Sequence, residues 1–360
     1  MAAAALIGCM VAVAPAQSMP SREPAETVMK PLVFGIYPGG AAGTVGPAGP
    51  RVADNFRAQV NALQELRVPG RPFVLHLYAS YTGPRTYSAQ AQVGAQIAAY
   101  SAAGFQTELV LAYRPADADP SADVPGFVSF VRDAVATLGS NPNFLSVQVT
   151  NEANVKGAPN AADGYYRGVM DALTKGIVAA KATSEALGYR QVTVGFNWAY
   201  ATDPSEASFW AHLANAGPAF RRALDWVGLD VYPGTWGPTA SGHDFAAGVS
   251  KTTLDALSAL RASLQSAGIW NDVALHIAEN GYPTGPGRTP AMQQTVMRAA
   301  IDTVNARRAA DHITDYRWFD LRDANSSSRS FEDQYGLMTD TYAPKPAFDT
   351  YRTLIARLGT

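Results

Sequence analysis

A single cysteine, Cys9, among 360 residues excludes an intrachain disulfide and a cysteine metal cluster. Histidine is nearly as sparse. The five residues at 76, 212, 243, 276 and 312 form no His-x-His and no His-Glu-x-x-His pattern, which leaves a zinc hydrolase without its usual ligand set. Charge is scarce and balanced, with 28 Lys and Arg against 30 Asp and Glu and a net charge of −2. Such a chain lacks the positive field that nucleic acid or an anionic membrane would attract, so neither is expected as a partner. No Gly-x-Ser-x-Gly elbow is present. The Gly/Pro-rich loop at 38–50 lacks the Gly-Lys-Ser/Thr ending of a phosphate cradle. Beyond residue 16 no uninterrupted apolar run approaches the length of a membrane span.

What the chain does have is apolar residues, at 47%, enough to bury a sizeable core. Its 24 Pro and 31 Gly are spread between apolar runs, consistent with many short turns. Residues 1–16 are apolar and uncharged and end Ala14-Pro15-Ala16, a small-x-small pattern. They read as the core and cleavage region of a secretory signal peptide, without the positive charges that usually precede it. Leu6-Ile7-Gly8-Cys9 resembles a bacterial lipobox. Two expectations follow: ordinary export with Cys9 removed, placed first, and lipid anchoring to the cell surface through Cys9. Residues 17–30 read as a polar linker, and 31–360 as one catalytic domain with no composition break inside it.

The domain alternates strand-like and helix-like segments. Strands are expected at 32–37, 73–79, 107–113, 144–150, 191–197, 225–232, 273–278 and 313–321, where β-branched and aromatic residues cluster. Helical spacing is expected at 52–66, with Val52, Phe56, Val60 and Leu63 on one face. Further helices are expected at 89–103, 124–138, 161–187, 205–214, 251–266, 290–308 and 346–358, several of them stopped by Gly. Eight strands alternating with eight helices is the pattern of an α/β fold, a single (β/α)₈ TIM barrel. A doubly wound open sheet is the alternative, but no Gly-rich nucleotide fingerprint follows the first strand.

In a barrel, functional groups gather at the C-terminal strand ends. Those ends carry Tyr37, Tyr78 and Tyr81, Tyr113-Arg114, Asn151-Glu152, Asn197-Trp198, Asp230 with Tyr232, Glu279-Asn280, and Trp318 with Asp320. Two of the carboxylates, Glu152 and Glu279, end strands four and seven and face each other across the mouth. Glycoside hydrolysis needs such a pair, one to protonate the leaving oxygen and one to attack the anomeric carbon. Aromatic neighbours suit a carbohydrate, whose C–H faces stack on Trp and Tyr rings.

Thr150-Asn151-Glu152, Ile277-Ala278-Glu279-Asn280-Gly281-Tyr282-Pro283, Gly228-Leu229-Asp230-Val231-Tyr232 and Trp318 together resemble the clan A glycoside hydrolases, retaining enzymes on (β/α)₈ barrels. The tail, Tyr335-Gly336-Leu337-Met338 with Pro344-Lys345-Pro346-Ala347-Phe348, is similar to the closing segment of that clan. The resemblance implies Glu152 as acid/base, Glu279 as nucleophile, Asn151 as a ligand of the sugar 2-hydroxyl and Tyr232 as a donor to Glu279. It also implies Trp318 as the floor of the reacting subsite, followed by a non-prolyl cis peptide. It implies no cofactor and no metal. Many clan members carry an Arg near the end of strand two; here that stretch is Val74-Leu75-His76-Leu77-Tyr78-Ala79-Ser80, and Arg114 is either its substitute or a surface residue.

Several residues keep two readings. Trp198 and Trp236 are either sugar platforms or packing residues beneath long loops. Asn197 is either a hydroxyl ligand or a buried amide. Tyr37 and Asp320 are binding candidates, whereas His76 and His276 lie in apolar runs and read as satisfied core histidines. The loop at 322–333 reads as solvated and placed to wall a cleft. The activity expected is retaining hydrolysis of an O-glycosidic, β-configured bond in a poly- or oligosaccharide. A silent glycan-binding barrel and a transglycosylase using the same residues are the alternatives.

Overall fold

A computed structural model describes residues 31–40, 52–83, 87–115, 123–159, 161–200, 206–236, 244–270 and 272–359. The leader, the linker and Cys9 lie outside the described residues. Eight parallel strands close into a barrel in sequence order: β1 (Val33–Ile36), β2 (Phe73–Tyr81), β3 (Gln106–Tyr113), β4 (Phe144–Val149), β5 (Thr193–Ala199), β6 (Trp226–Asp230), β7 (Ala274–Asn280) and β8 (Ile313–Trp318). Closure comes from β1, which pairs with β2 on one side and β8 on the other. The surrounding helices are α1 (Phe56–Leu66), α2 (Tyr87–Ala102), α3 (Val124–Leu138), α4 (Val169–Ala186), α5 (Glu206–Asn215), α6 (Gly217–Ala223), α7 (Phe245–Ser266), α8 (Pro290–Arg307) and α9 (Pro346–Leu358). Strands covered on both faces read as near-continuous apolar runs, as in β3, where the burial is unbroken from Thr107 to Tyr113. The (β/α)₈ barrel expected from the alternation is the fold found.

Helix starts follow local chemistry. Asn55, Asp123, Asp244 and Thr289 each accept a hydrogen bond from the backbone N–H three residues on. A cap of this kind contributes about 1 kcal/mol. The Asp244 cap begins α7 six residues earlier than the apolar spacing alone suggests. On α1 the buried face is Gln59, Ala62, Leu63 and Leu66, while Phe56 is exposed. The expected face is displaced because Gln59 donates to the Pro38 carbonyl and accepts from the Tyr100 hydroxyl. The helix expected from residue 161 starts at Val169, after a short 3₁₀ turn at Asp163–Tyr165. Gly168 enters α4 with φ 85°, and Asp163 turns its side chain inward to the backbone N–H groups of Tyr113 and Asn151. Helix α6 has no counterpart among the expected segments.

Below the mouth the barrel interior is ionic. Glu108 on β3 and Arg317 on β8 are not strand neighbours, so their contact crosses the inside of the barrel. It is bidentate, with Arg317 Nε 2.6 Å and Nη2 2.9 Å from the two carboxylate oxygens. Asp315 adds a second contact to Arg317 at 2.8 Å. His76 Nδ1 lies 2.6 Å from Glu108, and its Nε2 has no partner. His276 stacks on Trp226 at 4.3 Å and reaches Asp315 at 3.2 Å. Both histidines are thus core residues, His76 with one nitrogen bonded. Gly35 makes room for this layer, because a Cβ there would lie 2.6 Å from Arg317 Cδ.

Burial alone would raise the Glu108 pKa, but the Arg317 guanidinium and His76 outweigh it and hold the carboxyl well below its usual range. Burial likewise opposes the charge of Arg317, and Glu108 with Asp315 more than restores it. Removing one partner of such a pair costs about 3–5 kcal/mol. Glu108→Gln should therefore destabilise the fold by about that amount at neutral pH, measured by urea unfolding. A depressed carboxyl pKa stabilises fully above the unfolded value of about 4.3 and is lost as pH falls through the native one. The gap between wild type and variant should stay constant above about pH 5 and narrow only in stronger acid.

Candidate active site

Leaving β4, the chain takes a left-handed turn at two non-glycine residues, Thr150 at φ 66° and Glu152 at φ 46°. Side chains crowd the backbone in this region, so the turn needs support from its surroundings. Asp163 accepts from the Asn151 N–H at 2.8 Å, and Arg114 braces Asp163 at 3.2 Å. The Asn151 amide donates to the Ala161 carbonyl at 2.9 Å. Asn197, at the end of β5, accepts the Glu152 N–H at 2.8 Å and donates to Asn151 Oδ1 at 3.0 Å. The Glu152 carboxyl is aimed into the mouth by this frame.

Glu279, on β7, sits opposite. Tyr78 from β2 donates to its Oε1 at 2.6 Å and Tyr232 donates to its Oε2 at 2.7 Å. Burial first, then the charge of Glu279, pushes both tyrosine pKa values well above 10. Both hydroxyls therefore keep their protons and act as donors, an arrangement that suits an ionised, acceptor-only carboxylate. Oxygens of Glu152, Asp230 and Glu279 lie within 4.8 Å of one another. Among the described residues these three are also the group that could be gathered around a cation.

The environments of the two glutamates differ. Glu152 has no hydroxyl donors on its carboxyl. Burial, then the charges of Glu279 and Asp163, push its pKa up to about 8, with Arg114 opposing. One carboxyl holds a proton near neutrality, and its neighbour accepts two hydrogen bonds. Such divergence within a pair is how acid and anion roles are divided at one pH.

Tyr37, Asn151, Glu152, Asn197, Tyr232 and Glu279 are drawn together at the mouth. Tyr37 stacks on Phe319 at 5.4 Å and meets Tyr78 edge-on at 5.3 Å. The amides of Asn151 and Asn197 are both buried and bonded within the protein. Trp236 stands on the rim, 54% exposed, its Nε1 donating to the Tyr335 hydroxyl at 2.8 Å and its ring 5.6 Å from Phe331. Arg288 lies over the same Phe331 ring at 4.7 Å.

Other residues lie elsewhere. Trp198 points outward from β5, buried against Trp210 and bonded to Glu206 at 2.7 Å. Trp318 is wholly buried beneath α9, 6.3 Å from the Tyr351 ring, and Phe319 is the ring that faces Tyr37. The non-prolyl cis peptide joins Phe319 to Asp320, one bond later than expected. Asp320 is buried away from solvent. Arg114 supports the Glu152 turn rather than Glu279, where Tyr78 takes the place opposite the end of β2. The loop after β8 is not solvated at its start: Arg322 and Asp323 are fully buried, Arg322 bonding Asp54 and Asp323 pairing with Lys345. Phe331, further along it, does stand against Trp236 at the rim.

Four contributors, Tyr78, Asp163, Asp230 and Phe319, were not among the expected site residues. Tyr78 and Asp230 were legible as strand ends. Asp163 had no signal, since it lies in a segment that reads as helix.

No family model and no curated protein matches the chain by sequence. Solved structures match by shape. A GH5_18 from Streptomyces cattleya in complex with GlcNAc has a TM-score of 0.62 at 16% identity, covering 92% of this chain and 81% of its own. A β-glucosidase from Thermotoga maritima in complex with cyclophellitol has a TM-score of 0.63 at 12% identity, covering 92% of this chain and 99% of its own. A GH5_18 from Bifidobacterium longum subsp. longum in complex with Manb1-4GlcNAc has a TM-score of 0.59 at 15% identity, covering 91% and 78%. In fold, this chain is similar to these glycoside hydrolases.

Proposed function

We propose that the protein is a retaining glycoside hydrolase that cleaves the β-glycosidic bond of a poly- or oligosaccharide by double displacement. The observation that carries the reading is the unequal carboxyl pair. Glu152 and Glu279 present oxygens within 4.8 Å, near the roughly 5–5.5 Å separation of retaining enzymes and short of the roughly 6.5–9.5 Å that leaves room for an inverting water. In the first step Glu279 forms a bond to the anomeric carbon while the glycosidic C–O bond breaks. The Glu152 proton passes to the departing oxygen. In the second, Glu152 takes a proton from water, the resulting hydroxide attacks the same carbon, and the Glu279 carboxylate is released.

Tyr78 and Tyr232 hold both Glu279 oxygens and so fix the direction of attack. The exposed Trp236 with Phe331 and Tyr335 supports a carbohydrate reading, because such rings offer stacking faces beside polar edges. Ligands named with two of the solved neighbours, GlcNAc and Manb1-4GlcNAc, belong to those proteins and fit the same class. The apolar leader at 1–16 supports an exported enzyme, with lipid anchoring through Cys9 as the second reading.

A panel of polysaccharides and aryl β-glycosides, with product anomeric configuration followed by NMR, tests the reading. Retention is expected, and inversion on a cleaved substrate would remove the double displacement. Glu279→Gln should lower kcat by at least about 10³-fold with the fold intact. Glu152→Ala should cripple cleavage of sugars with poor leaving groups and spare the first step for activated aryl groups, which need no proton. The acid form of Glu152 is lost as pH rises through about 8. The kcat/KM profile should therefore fall on its alkaline side near that value, a limb absent from Glu152→Ala.

A further inference from the structure

The reading above uses two carboxyls, yet the mouth holds three. Asp230 ends β6 and is 1% exposed. The β6–β7 register shifts between Leu229 and Asp230, so that Asp230 stands directly opposite Glu279. One Asp230 oxygen accepts from the Asn197 amide, and Oδ1 has no partner. Asn197 is the same residue that accepts the Glu152 N–H and donates to Asn151. A continuous path thus runs from the strand pair carrying Glu279, through Asp230 and Asn197, to the backbone of Glu152.

We infer that Asp230 is a positioning residue of the proposed reaction, a neutral third carboxyl that anchors Asn197 and thereby holds the left-handed turn presenting Glu152. Its neutrality follows from crowding. Three buried carboxyls within 4.8 Å cannot all be charged, since like charges at that range repel strongly in a dry site. Glu279 must be an anion to attack and Glu152 must exchange its proton in every cycle. Asp230 is left to carry the standing proton. The ionisable groups facing it are Glu279 from β7, Glu152 from the turn after β4 and Tyr78 from β2. Burial and the two glutamate charges push its pKa well up, with Asn197 and the Glu279 backbone N–H opposing.

The inference rests on the glycosidase reading, so Glu279→Gln and Glu152→Ala are assayed beside the Asp230 variants on one aryl β-glycoside that the wild type cleaves. If both glutamate variants stay active, the reading itself fails; if they are silent, the Asp230 variants test the inference alone. Asp230→Asn keeps a neutral side chain and an acceptor for Asn197. It should retain kcat/KM within about 5-fold, with the alkaline limb unmoved, because no charge has been removed. Asp230→Ala removes the anchor, and a misplaced acid should cost about 10²-fold in kcat with KM little changed. Full activity in Asp230→Ala would overturn the inference. So would an alkaline limb in Asp230→Asn displaced by half a pH unit or more, which would mean that a charge had been removed. If Asp230→Ala fails to fold, the Asp230→Asn profile still decides. Loss of wild-type activity to EDTA, restored by Mg²⁺ or Ca²⁺, would also overturn it, since three anions around a cation would then replace a standing proton.

Discussion

The site depends on a backbone conformation that Thr150 and Glu152 would not choose unaided. Their positive φ values swing the chain out of β4 so that the Glu152 carboxyl enters the mouth instead of continuing the alternation of the strand. Side-chain crowding disfavours that region by an amount on the order of 1 kcal/mol per residue. Asp163 and Asn197 offset the cost by hydrogen-bonding successive backbone N–H groups, those of Asn151 and Glu152. Neither supporting side chain belongs to β4. One comes from the 3₁₀ turn before α4 and the other from the end of β5. The orientation of the acid is thus a property of the closed barrel rather than of its own strand.

Closure also explains how the interior tolerates so much charge. Arg317 reaches Glu108 across the barrel, which no open sheet would permit. Desolvation of these groups is expensive, but paired and bidentate contacts recover most of it. The layer is walled by Trp226, Ser146 and His276 and lies below the mouth. Above it the arrangement is different. Glu152, Asp230 and Glu279 have no Lys or Arg among their hydrogen-bond partners, and tyrosine and amide donors hold them. A guanidinium on Glu152 would fix it as an anion and remove its proton. Neutral donors leave protonation to be decided by burial and mutual repulsion, which is what a proton-transferring pair requires.

The barrel was legible because strand and helix signals alternate with even spacing and each strand is short and apolar. The pair at Glu152 and Glu279 was legible because both residues follow β-branched runs directly. Where the reading failed, a polar side chain had overridden a pattern. The amide of Gln59 turned α1 by a residue, and Asp163 was drawn inward out of what looks like helix. Arg322 and Asp323 read as solvated because charge usually is. Their partners, Asp54 and Lys345, lie far off in sequence, and no local signal announces such pairing.

The aromatic assignments failed for a separate and more general reason. Counting by twos along a strand says which side chains share a face, and Trp318 was placed at the mouth on that basis. The β7–β8 pairing shifts register between Ile277 and Asn280, and β6–β7 shifts between Leu229 and Asp230. Each shift adds a residue to one strand near its C-terminal end and re-aims whatever follows. Trp318 consequently packs outward under α9, and Phe319 takes the inward place beside Tyr37. The same kind of irregularity sets Asp230 across from Glu279. Bulges at barrel rims are therefore not noise around the site. They decide which of two adjacent side chains becomes part of it, and here they turned a pair of carboxyls into three.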